Sequence, residues 1–169
     1  MGVSHKKVVV RQFEAGLAWG YLPATGFLVA DRVDLMGVDG RIKTLPFSDI
    51  KTIAYVRDFN LDDAIDPEQM GRRTFAARPR GDGLWLKLGF RDGDALEGLA
   101  AVDLGFLEGL TEDRGVFVAP PDTRGNTQRI FVPRAALRSL EVLGYVTSPS
   151  RKLAAKKTLN LGQGGLFED

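Results

Sequence analysis

Residues 42–53 have the sequence IKTLPFSDIKTI, and residues 129–140 have the sequence RIFVPRAALRSL. In each stretch a short strand pattern ends at a proline, Pro46 or Pro133, and a few turn residues separate it from a second strand pattern. Proline suits the end of a strand because its missing N–H leaves no ladder hydrogen bond unmade there. The two stretches therefore predict the same strand, turn, strand unit twice, which indicates an internal repeat.

The repeat extends towards the amino terminus of each copy. Residues 8–13 and 16–22, VVVRQF and GLAWGYL, correspond to residues 84–90 and 94–100, LWLKLGF and DALEGLA. In residues 84–90 apolar side chains alternate with a period of two, as expected of a half-buried strand. The Arg-Asp-Gly-Asp sequence that follows favours a tight turn, so this part of each copy is predicted to be a hairpin.

Each copy is predicted to contain five short strands. Gly20 and Gly98 occupy matching positions and are predicted to lie where a strongly curved strand bends. The second copy is predicted to have the longer central hairpin, at residues 119–126. Units of about 55 to 65 residues lie near the lower size limit for a stable core. We therefore expect the two copies to pack on each other.

These strand patterns resemble those of Sm-like or SH3-like small barrels. As a pair joined by VRDF at 56–59 and RTFAARP at 73–79, the copies also resemble an uncharacterised bacterial family, over residues 6–147. The resemblance implies a mainly β fold of two tandem small Sm/SH3-like β-barrels with a charged connector and a flexible C-terminal tail.

The same patterns set the expected domain boundaries. The first barrel is predicted at 1–59 and the second at 83–147. The connector between them, 60–82, has acidic residues followed by basic ones. The final segment, 148–169, is basic and then glycine-rich, which is typical of a mobile tail.

Composition excludes several classes of site. The 169 residues contain no cysteine and a single histidine, His5, and the net charge is only +1. Thiolate nucleophiles, cysteine-ligated metals and common nucleophile–base pairs cannot be assembled from this set. The adjacent carboxylates Asp92 and Asp94 are interpreted as turn residues. We therefore predict no enzyme, no cofactor and no metal site. Because no apolar stretch is long enough to span a bilayer, we expect no membrane segment and a cytoplasmic protein.

One binding hypothesis concerns the connector arginines Arg72, Arg73, Arg78 and Arg80. The stretch RRTFAAR at 72–78 resembles the arginine-rich arm of the PilZ family, which binds cyclic di-GMP. Guanidinium groups bind phosphates bidentately and stack on bases. These residues predict a nucleic-acid or cyclic-dinucleotide binding module as the alternative function.

The other hypothesis concerns the tail, where residues 163–167 have the sequence QGGLF. This pentapeptide resembles the short peptide by which bacterial proteins dock on the DNA sliding clamp. A tail that orders on binding would offer Leu166 and Phe167 as apolar anchors and Gln163 as a hydrogen-bonding amide. We therefore predict a non-catalytic binding or adaptor protein, with the sliding clamp as its candidate protein partner.

Overall fold

The computed structural model of the chain describes residues 2, 4–59, 72–112, 114–122 and 125–148. Within these residues the protein is mainly β, with eleven strands and one α-helix. The elements in chain order are β1 (His5–Gln12), β2 (Leu17–Pro23), β3 (Leu28–Val29), β4 (Arg32–Met36), β5 (Ile42–Pro46), β6 (Ile50–Val56), β7 (Gly83–Phe90), β8 (Ala95–Ala100), α1 (Leu104–Thr111), β9 (Gly115–Val118), β10 (Thr127–Pro133) and β11 (Leu137–Val146).

The described strands form one eight-stranded sheet and one three-stranded sheet. The larger sheet has the order β3-β4-β2-β1-β6-β10-β9, and β5 pairs with β4. The smaller sheet has the order β11-β7-β8, and a single bridge from Leu99 to Ala119 joins β8 to the residue after β9. The mainly β fold predicted from the sequence is confirmed. Among the described strands the sheets are open, and β5 and β11 are among their edge strands.

The two halves, residues 5–56 and 83–146, pair their strands in the same register. Val8 of β1 lies opposite Gly20 of β2, and Leu86 of β7 lies opposite Gly98 of β8. The closing strand of each half, β6 or β11, pairs with the first strand, β1 or β7, and both pairings contain a register shift near their start. The internal repeat is therefore present in the hydrogen-bonded geometry as well as in the sequence.

The two predicted strand-ending prolines are confirmed. Pro46 ends β5 and Pro133 ends β10, and both have extended backbone with φ near −60°. A three-residue 3₁₀ turn follows each of them, at Phe47–Asp49 and at Arg134–Ala136. Proline fits both places because its fixed φ suits the start of the turn and it donates no ladder hydrogen bond.

The predicted hairpin of the second copy is also confirmed. The alternate residues Leu86, Leu88 and Phe90 of β7 are buried. Strand β8 pairs back along residues 84–89 of β7, and the amide of Asp94 donates a hydrogen bond of 3.1 Å to the Asp92 side chain in the turn. The longer central connection of the second half, residues 119–126, joins β9 to β10 as expected.

Helix α1 was not expected from the repeat. It lies between β8 and β9, where the first half has only the loop around β3. Asp103 caps its amino terminus, because the Asp103 side chain accepts a hydrogen bond of 2.9 Å from the Phe106 amide. Phe106 and Leu110 pack towards the core of the second half. With eight residues, α1 is too short to span a bilayer, and the described part of the chain has no other α-helix.

The halves are joined by pairing between β6 of the first and β10 of the second, with Tyr55 opposite Arg129 and Ala54 opposite Ile130. This junction places successive residues of β6 in two different cores. Ile53 and Tyr55 belong to a cluster made mainly by the first half, whereas Ala54 belongs to a cluster made mainly by the second. The expected packing of the two copies on each other is thus built around a shared strand.

Candidate binding cavity at the junction of the two halves

A cluster of phenylalanines lies where the first half meets the second. Phe27 comes from the loop after β2, whereas Phe117 and Phe131 come from β9 and β10. The ring centroid of Phe131 lies 5.0 Å from those of both Phe27 and Phe117, and all three rings meet edge to face. Such pairs stabilise beyond the apolar area they bury. The cluster forms an apolar floor shared by both halves.

Arg129 holds one side of this floor in place. Its guanidinium carbon lies 4.4 Å from the ring centroids of both Tyr55 and Phe117. The guanidinium also donates a hydrogen bond of 2.8 Å to the carbonyl oxygen of Ala24 in the first half. Burial raises the pKa of Tyr55 to about 12, although the positive charge of Arg129 acts in the opposite direction. Tyr55 therefore stays neutral and donates to the Pro23 carbonyl across physiological pH.

Above the phenylalanine floor lies a cavity of about 460 Å³. Its walls are the loop around Gly26 on one side and helix α1 on the other. The volume falls in the range of small-molecule and side-chain pockets. The cavity is lined by Thr25, Gly26, Phe27, Leu28, Ala101, Asp103, Gly105, Phe106, Glu108, Gly109, Glu112, Arg114, Gly115, Phe117, Arg129 and Phe131.

The charged groups around the cavity give it no cationic character. Three carboxylates and two guanidiniums line it. Arg114 is paired with Glu112 at 3.0 Å, and Arg129 is held by the Ala24 carbonyl and two rings. A phosphate would meet more negative than positive charge here. An apolar or aromatic group entering the cavity would contact the phenylalanine floor instead.

A second cluster crosses the junction around Lys51, whose side chain is only 9% exposed. The Lys51 ammonium in β6 lies 2.6 Å from a carboxylate oxygen of Asp92 and 2.5 Å from one of Asp94, both in the turn after β7. It also lies 5.1 Å from the ring centroid of Phe90. These contacts satisfy a cation that burial alone would make costly.

The Lys51 cluster also changes the ionisation of Asp92. Burial by itself would raise the pKa of this carboxyl group. The hydrogen bond from the Lys51 ammonium and the one from the Asp94 amide outweigh burial, so the pKa of Asp92 lies below its usual value. The two aspartates interpreted from sequence as turn residues are therefore also the counter-ions of a buried lysine.

The connector arginines Arg72, Arg73, Arg78 and Arg80 are all exposed. Arg73 lies near the turn after β7, where its guanidinium is 3.6 Å from the Asp94 carboxylate. The acidic connector residues at 62–68 lie outside the described residues.

Arg78 is held at the other end of the same sheet, where it donates a hydrogen bond of 3.1 Å to the carbonyl oxygen of Tyr145. Tyr145 pairs with Leu84 at the start of β7, whereas the contact of Arg73 lies beyond Phe90 at its end. Six residues of strand separate these ends by about 20 Å. Arg73 and Arg78 are therefore too far apart to bind the same phosphate group, although an extended polyanion could contact both.

The predicted partner-binding residues of the tail, Gln163, Leu166 and Phe167, lie outside the described residues. The single histidine, His5, is exposed at the start of β1. The described residues contain no group of three or more His, Cys, Asp or Glu side chains placed to hold a metal ion.

Sequence reasoning missed the cavity because its floor comes from distant parts of the chain. Phe27 lies in a loop of the first half, whereas Phe117 and Phe131 lie in ordinary strand patterns of the second half. The sequence does contain a signal for the helix that forms one wall of the cavity. Asp103 precedes the leucines Leu104, Leu107 and Leu110, which lie at helical spacing.

Comparison with known proteins adds one finding. No curated protein and no solved structure matches the chain significantly. The model of one family, described as a family of unknown function (DUF6982), matches residues 4–144. This range covers both halves of the repeat and nearly coincides with the residues 6–147 over which the sequence suggested membership of an uncharacterised family. The chain belongs to the DUF6982 family.

Proposed function

We propose that this chain is a non-catalytic binding or adaptor protein built from two tandem small barrels of the Sm/SH3-like kind. Its cavity above the phenylalanine floor receives an apolar side chain, preferably aromatic, of a protein partner. The observation that carries the proposal is the cavity itself, which is lined by phenylalanines and formed jointly by both halves.

The small-barrel interpretation is supported by the shared strand order. In the first half the order β6-β1-β2-β4-β5 follows from the pairings. In the second half the corresponding order is β11-β7-β8-β9-β10, with the single Leu99–Ala119 bridge linking β8 towards β9. The link in the first half is just as slight, a single pair between Tyr21 and Met36. Both halves therefore follow one five-stranded meander that returns its last strand to its first.

The chemistry of the cavity favours a peptide over a nucleotide. Phe27, Phe117 and Phe131 offer ring edges and faces to an incoming apolar group, which is the usual way that a side-chain pocket gains affinity. The surplus of carboxylates at the rim disfavours phosphate. For the same reason, and because Arg73 and Arg78 are far apart, the nucleic-acid or cyclic-dinucleotide alternative has less support.

Filling the cavity should weaken this binding. A displayed library of random peptides is selected on the full-length chain, and the selected peptides are then measured by titration. We expect them to share an aromatic or leucine anchor. Because exposed Thr25 lines the cavity mouth, Thr25→Trp should weaken their affinity at least about tenfold.

The matched control is Thr74→Trp, which places the same side chain on an exposed connector residue away from the cavity. This variant should bind the selected peptides as the unaltered chain does. If no peptide is selected, or if Thr25→Trp and Thr74→Trp bind equally well, the cavity is not the binding site.

The tail is proposed as the second contact of the adaptor, with the DNA sliding clamp as the candidate partner. Burial of Leu166 and Phe167 in a groove would contribute on the order of 1.5–3 kcal/mol each, and ordering the peptide offsets much of this. We expect micromolar affinity for purified clamp and a loss of about tenfold or more in Phe167→Ala. Titration calorimetry with the two purified proteins measures both values.

A chain ending at Ser150 is the control for the tail, because it removes the whole pentapeptide and retains the described residues. Lys156→Ala should change clamp affinity little except at low salt, since its charge would act only through screened attraction. Equal binding by the full and shortened chains, or binding by neither, contradicts a clamp-docking role for Gln163, Leu166 and Phe167.

A further inference from the structure

Two edge strands of the described sheets, β5 and β11, each pair on one side only. They are the counterparts of the two strands that join the halves. By position in the repeat, β5 corresponds to β10, because each ends in the matching proline, and β11 corresponds to β6, because each closes its half against the first strand. The chain therefore contains one such joint, between β6 and β10, and also the two strands of an equivalent joint, β11 and β5, which do not pair with each other within the chain. We call this second pair of strands the unused joint.

The side chains of β6, which lies in the joint, are more buried than those of its counterpart β11. Every residue of β6 is buried, because β1 and β10 flank its edges and its side chains alternate between the two cores. In β11 the corresponding residues 138–143 are all exposed. They include Leu140, Val142 and Leu143, with Val142 54% exposed. An exposed edge strand with apolar side chains is a template for pairing with another strand.

The register of the internal joint can be transferred to the unused strands. Within the chain, Arg129 lies opposite Tyr55 and Ile130 lies opposite Ala54. The matching positions in β5 and β11 place Ile42 opposite Val142 and Lys43 opposite Glu141. The first of these is an apolar pair in which Ile42 is 61% exposed. The second is a pair of opposite charges, and both kinds of cross-strand pair are stabilising.

A third correspondence comes from the Lys51 cluster. Inside the chain, Lys51 of β6 reaches across the joint to Asp92 in the turn after β7. The matching positions at the unused joint are Arg138 in β11 and Glu14 in the turn after β1. Both are exposed, and their charges are again opposite. Thus the surface charges near β5 and those of β11 are complementary at two independent positions.

We propose that β5 of one copy pairs antiparallel with β11 of a second copy of this chain, in the register that sets Lys43 opposite Glu141. The contact is heterologous, because each copy contributes a different strand. Repetition of the contact builds a ring if the rotation between copies closes, and an open chain of copies if it does not. This self-assembly is independent of the cavity and of the tail.

The first test is the mass of the full-length chain in solution. Sedimentation equilibrium over a wide range of protein concentration should give multiples of the chain mass that grow with concentration. A chain that remains a monomer at every concentration up to about 1 mM, a scale on which even weak contacts are populated, overturns the proposal.

Charge exchange tests the register. Lys43→Glu alone sets two glutamates opposite each other, and Glu141→Lys alone sets two lysines opposite each other, so each variant should associate at least about tenfold more weakly. An equimolar mixture of the two should associate again, because every contact then joins opposite charges. The double variant should recover association by itself.

The exchange also separates this contact from others. A two-fold contact between two β11 strands would be unaffected by Lys43→Glu, and that result would overturn the proposal. Val142→Asp should weaken association, whereas Val29→Asp should leave it unchanged, because Val29 is equally exposed but lies in β3. Circular dichroism checks that each variant is folded. Equal effects of Val142→Asp and Val29→Asp on association would contradict pairing through β11.

Discussion

Gly20→Ala is expected to lower the free energy of unfolding by about 3 kcal/mol, at the upper end of the range for overpacking a core. A Cβ at Gly20 would overlap the backbone carbonyl oxygen of Met36 and lie 2.8 Å from Leu35 Cδ1. The carbonyl belongs to β4, which crosses close to β2 at this point, and a backbone atom cannot move aside as a flexible side chain can. Chemical denaturation followed by circular dichroism measures the change.

The repeat supplies a second copy of the same experiment. A Cβ at Gly98 would lie 2.6 Å from the Cβ of Val118, the residue of β9 that corresponds to Leu35. Gly98→Ala should therefore also destabilise, by about 1–3 kcal/mol. Gly144→Ala is the control, because nothing lies within 4 Å of a Cβ at Gly144. If the three variants unfold at the same denaturant concentration, the close approach of the following strand is not the reason for these glycines.

The strand boundaries were predictable because proline and glycine act locally. Pro46 and Pro133 restrict their own φ and their own hydrogen bonding, so a strand end can be inferred without knowing the rest of the fold. Gly20 and Gly98 were recognised by their matching positions, and the structure adds the reason, which is the crossing strand. Repetition made these inferences stronger, because each position was observed twice.

Helix α1 could not be predicted by the same route, since the repeat that guided the prediction has no helix at the matching place. Asp103 caps the helix, and the eight helical residues carry leucines at helical spacing. Eight residues are too few for a helix to be stable alone. What stabilises α1 is packing of Phe106 and Leu110 on the second half, and that contact exists only after the sheet has formed.

The joint between β6 and β10 and the cavity beside it depend on which strands become neighbours. Tyr55 and Arg129 lie opposite each other although they are far apart in the chain. The strand pattern around Tyr55 indicates that β6 is a strand but does not indicate its partner. Phe27, Phe117 and Phe131 come together only because β6 pairs with β10. The strand residues were therefore predictable from the sequence, whereas the site was not.

Lys51→Met is expected to be the second strongly destabilising change, by about 2 kcal/mol at neutral pH. The substitution keeps most of the side-chain volume next to Phe90, but it leaves Asp92 without its cation and Asp94 with only the Arg73 guanidinium at 3.6 Å. Hydrogen bonds to charged groups contribute about 1.5–3 kcal/mol. The aspartate side chains are 38% and 45% exposed, so water compensates for part of the loss. The control is Lys7→Met, because the Lys7–Asp58 pair is exposed and its loss should change the unfolding midpoint little.

The effect of Lys51→Met should depend on pH with a defined sign. The pKa of Asp92 is lowered in the folded chain, so the stabilisation linked to it is complete above the pKa of the unfolded chain, about 3.9. It is lost as pH falls from that value through the lower folded pKa. The difference in unfolding free energy between the unaltered chain and Lys51→Met should therefore shrink between about pH 5 and pH 2. Denaturation of both proteins at a series of pH values measures the difference. A gap in unfolding free energy that stays constant down to pH 2 would contradict stabilisation through the pairing of Lys51 with Asp92.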